Sequence, residues 1–176
     1  MILGLDISTS ITGATVLDSK GEVITCDAWD FRKYKGFFLK VETAKAHLEK
    51  IKKDYEIQEI FIEQSLQSFR TGFSSAKTLS TLARFNGTLA WLCYEAFDIE
   101  PEFIGASTAR KLCNIKIPKG RKAKEVVLEK ILDIDPKFDI VYTKWGNPKP
   151  GTHDRADSLV IAKAGFTLCE QKNLKS

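Results

Sequence analysis

The opening stretch, MILGLDISTSITGATVLD, limits the possible folds more than any other part of the chain. Ile2 to Leu5 read as a buried strand, and a carboxylate, Asp6, follows directly within it. A buried carboxylate is costly unless a cation or a hydrogen-bond donor meets it. Ser8-Thr9-Ser10 and then Gly13 read as a tight turn, and Ala14 to Leu17 return as a second strand. An acid-bearing strand that returns as a hairpin suits two chemistries, a metal-dependent nuclease and a phosphate-binding kinase.

The rest of the chain alternates strands with helices. Lys20-Gly21 turns into a third strand over Glu22 to Trp29, so strands one to three are expected to form an antiparallel meander. The segment RKYKGFFLK, Arg32 to Lys40, mixes aromatics and cations at the sheet edge. It reads either as a nucleic-acid contact or as a half-buried connection. Val41 to Tyr55 places apolar residues at 41, 44, 48 and 51, the spacing of an amphipathic helix. Glu59 to Gln64 is a β-branched and aromatic strand, and its arrival from a helix predicts parallel pairing.

A long helix is expected from Ser75 to Phe97, with Leu79, Leu82, Ala83, Leu89, Ala90 and Cys93 on its apolar face and Gly87 at a close helix contact. Pro101 to Ile104 gives a fifth strand, Ala106 to Cys113 a short helix and Ala123 to Ile134 another, stopped before Pro136. YTKWGNPKPG, Tyr142 to Gly151, is turn-rich and expected to be mobile before a partner binds. A last helix runs from near His153 through Ala164. The expectation is an α/β fold, a mixed five-stranded sheet (three antiparallel strands plus two parallel) flanked by helices. No repeat or linker divides it, so residues 1–176 are expected to form one domain.

If the fourth strand lies parallel beside the first, Asp6 and Glu63 reach the same sheet edge, where open α/β folds place ligands. Asp154 and Asp157, three apart, share one face at the start of the last helix, with Thr152 as its expected N-cap. Four acids in a small volume repel unless divalent cations or shared protons hold them. Hard carboxylate donors without thiols suit Mg²⁺, with Mn²⁺ able to substitute. Two such ions can activate water on one side of a phosphodiester and stabilise the leaving oxygen on the other.

GLDIST, FIEQS and HDRADSLVIAKAG, in this order, resemble the RuvC family of Holliday-junction resolvases in the ribonuclease-H-like superfamily, over roughly Met1 to Phe166. The resemblance implies that Asp6, Glu63, Asp154 and Asp157 bind two Mg²⁺ ions. It also implies a homodimer in which each subunit nicks one of two like-polarity strands of a four-way DNA junction. By the same resemblance, Lys124 and Lys111 are the leading cations to lie near the scissile phosphate. Between the fourth strand and the long helix the sequence reads SLQSFRTGFS; Phe69 and Phe73, with Arg70 between them, are its candidates for contacting junction DNA. The long YTKWGNPKPG segment is closer to the viral or phage type of resolvase.

Charge supports a polyanionic partner. Net charge is +4, and Phe103 to Lys124 contains no acid while Arg110, Lys111, Lys116, Lys119, Arg121, Lys122 and Lys124 supply cations suited to phosphates. His153, beside Asp154, either assists water activation or occupies the first helical turn. Cys26, Cys93, Cys113 and Cys169 are widely spaced with no CxxC pair, and read as reduced thiols. With no transmembrane-length apolar run and no secretory signal pattern, a cytoplasmic protein without a membrane partner is expected, in the host cell if the source is viral or phage. A sugar-kinase-like fold needs a second domain that 176 residues do not hold. A YqgF-like nuclease acting on RNA or other branched nucleic acid shares the metal chemistry and would ignore four-way DNA. A non-catalytic junction-binding protein would lack one or more of the four acids.

Overall fold

The structure, a computed structural model, describes residues 1–64 and 76–174. Strands β1 (Ile2–Asp6), β2 (Ile11–Leu17) and β3 (Val23–Asp30) lead into helix α1 (Phe37–Asp54). Strand β4 (Glu59–Glu63), helix α2 (Ala76–Phe97) and strand β5 (Glu102–Ile104) follow. Helices α3 (Ala106–Leu112), α4 (Ala123–Ile134) and α5 (Thr152–Asn173) complete the chain. The sheet order is β3-β2-β1-β4-β5. β1 pairs antiparallel with β2 and β2 with β3, while β1–β4 and β4–β5 are parallel, as the strand and helix periodicities predict.

Side-chain alternation sorts the sheet into two cores. Leu3, Leu5, Ala14, Val16, Ile60 and Ile62 face α1 and α2, where Ala44, Leu48, Phe85, Leu89 and Cys93 are buried. Ile2, Leu17 and Phe61 face the other way, against Ala156, Leu159 and Val160 of α5. Val127 and Ile131 of α4 and Ala109 of α3 belong to that second core. Helix α5 therefore lies between the sheet and the α3/α4 layer, which accounts for its burial on nearly every side from Ala156 to Gly165.

Several local expectations are corrected. α5 continues to Asn173 instead of ending near Ala164, because Gly165 is not a terminator: it admits the Phe61 ring, 2.2 Å from where a Cβ would stand. Thr152 is not an N-cap. Gly151, left-handed at φ 92°, occupies that position without a side-chain cap, and Thr152 is buried in the first turn. On α2 the buried residues are Phe85, Asn86, Leu89, Leu92 and Cys93, so the packed stripe begins later than the Leu79 to Ala83 positions suggested. Gly87 is exposed with no atom near its missing Cβ, so it makes no close helix contact among the described residues. Tyr142 to Gly151 forms a short hairpin with hydrogen bonds of its own. No helix among the described residues is long and apolar enough to cross a membrane.

Candidate active site

The parallel register brings two acids together. Leu5 of β1 lies opposite Ile62 of β4, so Asp6 and Glu63 occupy adjacent strand ends. Asp6 shares the sheet face of Ile2 and Gly4, and Glu63 that of Phe61; this is the face covered by α5. Asp6 in turn lies opposite Gly13 on β2. A Cβ on Gly13 would stand 1.9 Å from the Asp154 carbonyl oxygen and 3.0 Å from Ser158 Cβ. Glycine at this position thus lets α5 begin directly over β2, one strand from Asp6. The first turn is then fastened on its outer side. Arg155 Nε donates to the Cys26 carbonyl at 2.8 Å and Nη1 to the Asp139 carbonyl at 3.2 Å. The hydroxyls of Thr15 and Ser158 meet at 2.9 Å within the core. Asp154 and Asp157 are carried on this fixed turn.

Electrostatics bear out the proximity. Asp6 is pushed well above the ordinary carboxylate range, first by burial and then by Glu63, Asp157 and Asp154. Burial and Asp157 raise Glu63 to about 7, against Arg110 and Lys124. Asp157 rises to about 6, mainly by burial, with Lys124 opposing, Asp154 adding and Arg110 opposing. Asp154 is raised by burial against Lys124, His153 and Arg32. All four keep some solvent contact. They lie along one solvent-reached edge of the sheet, and Lys124 acts on each of them.

Among the described residues no three His, Cys, Asp or Glu side chains are arranged to hold a metal ion. The other three carboxylates still act on Asp6 at longer range. Carboxylates interact at about 4–6 Å, whereas Mg²⁺ takes oxygens at about 2.0–2.1 Å. The four are neighbours that do not close on one point. As an all-oxygen, multiply anionic set they match the donor chemistry of a hard divalent cation, though their present spacing closes on no single ion.

The raised Glu63 carboxyl has a measurable consequence. Between about pH 4.5 and 7 the folded chain keeps a proton that the unfolded chain has released, so stability falls as pH rises through that window. In metal-free buffer this group is expected to cost on the order of 2–3 kcal/mol by about pH 7.5. Glu63→Gln should flatten that part of the profile. Thermal melts of both proteins across the window check it, and superimposable profiles would contradict it.

The remaining candidates separate spatially. Lys124 and Arg110 act on the carboxylates, so Arg110, expected only to bind DNA, joins Lys124 at that edge. Lys111 lines a groove of about 470 Å³ with Arg110, Asn114 and Lys116. Lys116 and Lys119 are exposed; Arg121 pairs with Glu129 at 2.5 Å and Lys122 with Glu125 at 3.3 Å. Those exposed pairs are weak enough to exchange for phosphates. Phe69, Arg70 and Phe73 lie outside the described residues. Sequence reasoning missed Asn86, a buried amide whose Nδ2 donates to the Glu63 carbonyl at 3.4 Å and so helps hold that strand end. Its signal was an amide at position 86 between Phe85 and Leu89, inside an apolar helix face.

No protein-family model matches the sequence, and no curated protein matches it. Solved structures do. Thermus thermophilus RuvC in complex with Holliday junction substrate aligns at TM-score 0.71 and 14% identity, over 97% of this chain and 94% of that one. A second T. thermophilus RuvC structure aligns at TM-score 0.66 and 16% identity, over 97% and 96%. The yeast mitochondrial Holliday junction resolvase Ydc2 aligns at TM-score 0.61 and 12% identity, over 98% and 80%. The chain has the fold of these structures, the ribonuclease-H-like α/β arrangement of a mixed five-stranded sheet flanked by helices seen in the RuvC Holliday-junction resolvases.

Proposed function

We propose that this chain is a metal-dependent endodeoxyribonuclease that resolves four-way DNA junctions by symmetric paired nicking. The observation that carries this reading is the gathering of Asp6, Glu63, Asp154 and Asp157 beside Lys124 on one accessible sheet edge. In this reading the four carboxylates hold two Mg²⁺ ions, or Mn²⁺ in their place. Bound there, the ions supply a water nucleophile and charge stabilisation for the leaving 3′-oxygen. The chain's own part is to orient and to compensate. Asn86 holds the Glu63 strand end, the Arg155 bonds hold the first turn of α5, and Lys124 and Arg110 offer charge to the scissile phosphate. The exposed cations Lys111, Lys116, Lys119, Arg121 and Lys122 extend that positive surface along a DNA arm.

Junction resolution needs two sites, and α2 offers a surface for a second copy. Gly87, Trp91 and Tyr94 follow helical spacing on its outer side; Trp91 is 57% exposed and Tyr94 50%. The open Gly87 allows a second backbone to come close, and a twofold dimer presents two equivalent sites to two equivalent strands. The protein is expected to sediment as a dimer at micromolar concentration, and Trp91→Asp to shift it toward monomer. A concentration-independent mass near 19.8 kDa would contradict this. A plasmid bearing an extruded cruciform tests the paired action: linear product supports it, and accumulation of singly nicked circles contradicts it.

A further inference from the structure

The connection from α4 to α5 carries a feature that this reading does not use. Thr143 N donates to the Asn147 carbonyl at 2.8 Å, Gly146 N to the Thr143 carbonyl at 3.0 Å and Lys149 N to the Val141 carbonyl at 2.8 Å. Tyr142 bridges Pro148, and Gly146 turns the tip at φ 75°. The stem is anchored to α5, since Arg155 lies 4.7 Å over the Phe138 ring and bonds the Asp139 carbonyl. This is a short hairpin whose shape needs no partner. At its tip Trp145 is 77% exposed, with Tyr142, 55% exposed, at its base.

A large aromatic ring held in water on an ordered tip loses the stabilisation that burial would give it. The charge around it indicates what covers it. From Ile140 to His153 the chain has no Asp or Glu, while Lys144 and Lys149 lie on the hairpin. Lys144 Nζ stands 4.8 Å over the Trp145 ring, so one ring face carries a cation and the exposed remainder is free to stack. An aromatic platform bordered by cations without a carboxylate suits a base with its flanking phosphates. Its place in the chain suits the same ligand. Trp145 lies nine positions before Asp154, a span of at most about 32 Å, or roughly nine base steps along a duplex.

We propose that Trp145 is a stacking platform for an unpaired or unstacked nucleobase of the DNA held at the carboxylate edge, with Lys144 and Lys149 directed to the neighbouring phosphates. This rests on the nuclease reading. Bases inside a duplex already have both faces stacked, so the platform favours branched or partly single-stranded DNA over uninterrupted duplex. It contributes affinity without reading base identity, because every base offers a π face.

The test compares the full chain with its Trp145→Ala and Trp145→Phe variants in metal-free buffer, where binding is read without cleavage. Ligands are a four-way junction, a single strand and a fully paired duplex, with 2-aminopurine placed in turn at positions within nine nucleotides of the branch. Trp145→Ala is expected to weaken junction and single-strand binding by about 5- to 150-fold, to leave duplex binding within about twofold, and to lose 2-aminopurine quenching at one or two positions. Trp145→Phe should keep most of both signals. Unchanged junction and single-strand binding by Trp145→Ala would overturn the platform, as would an equal loss on all three ligands. So would an effect confined to self-association, which would make the tip a protein contact. If the wild-type chain cleaves junctions while Trp145→Ala matches it throughout, the platform alone fails. A wild-type chain that binds no DNA would bring down the nuclease reading together with it.

Discussion

Asp6→Asn is expected to reduce cleavage of a four-way junction by on the order of 10²–10³ or more while leaving junction binding nearly unchanged. Asp6 is raised by burial and by Glu63, Asp157 and Asp154 together, and its strand lies between β2 under α5 and β4 with Glu63. The amide matches the acid in size and packs in the same space. It withdraws one anionic oxygen donor from the set and removes no cation that faces phosphate. Glu63→Gln and Asp157→Asn should behave alike. The loss should be accompanied by a gain in thermal stability in metal-free buffer at neutral pH, because a like charge leaves a partly desolvated site. Those opposite signs set a functional acid apart from a structural one. A structural acid that accepts local hydrogen bonds would lose stability when neutralised. Cleavage and binding assays beside thermal melts measure both, and full cleavage by the variant at saturating Mg²⁺ would contradict the assignment.

Gly13→Ala is expected to be as damaging by a different route. The added methyl would stand 1.9 Å from the Asp154 carbonyl oxygen, and that oxygen belongs to helix backbone that cannot rotate away as a side-chain tip would. Either the first turn of α5 lifts off β2 or the sheet yields. Overpacking of this kind typically costs about 1–3 kcal/mol and more where backbone must move; about 3 kcal/mol or more is expected here. Lifting the turn also shifts Asp154 and Asp157 relative to Asp6, so cleavage should fall even at temperatures where the variant stays folded. Urea denaturation and single-turnover cleavage test the two halves. A variant with wild-type stability and wild-type cleavage would show that the contact of α5 on β2 is not what places the acids.

The sheet was legible in the sequence because its residues obey a two-residue period and its connections have the lengths of hairpins and a crossover. That pattern also placed Asp6 and Glu63 at neighbouring strand ends, and the pairing of Ile2 with Glu59 sets the even positions of β1 and the odd positions of β4 on one face. What was hidden depended on contacts between distant segments. Gly165 lets α5 run past Ala164 against the Phe61 ring, and Gly87 resembles a packing site although no described residue lies beside it. Arg110 and Lys111 are adjacent cations with no local feature to rank them. Both line the groove beside α3, and it takes the packing of α3 on α5 to bring Arg110 also within reach of the carboxylates. The pairing within the Trp145 hairpin was hidden because turn-forming residues look alike whether or not their backbone groups bond to one another.

The central claim, that the acids at this sheet edge make a metal-dependent nuclease for four-way DNA junctions, is tested most directly with the purified chain and a panel of end-labelled substrates. These are a four-way junction, a three-way junction, duplex DNA and a single-stranded RNA, each with and without Mg²⁺. The account predicts paired nicks placed symmetrically across the four-way junction in Mg²⁺, restored by Mn²⁺ after chelation, and no cleavage in chelator alone. RNA cleavage with indifference to the junction, or junction cleavage that persists in chelator, would contradict it.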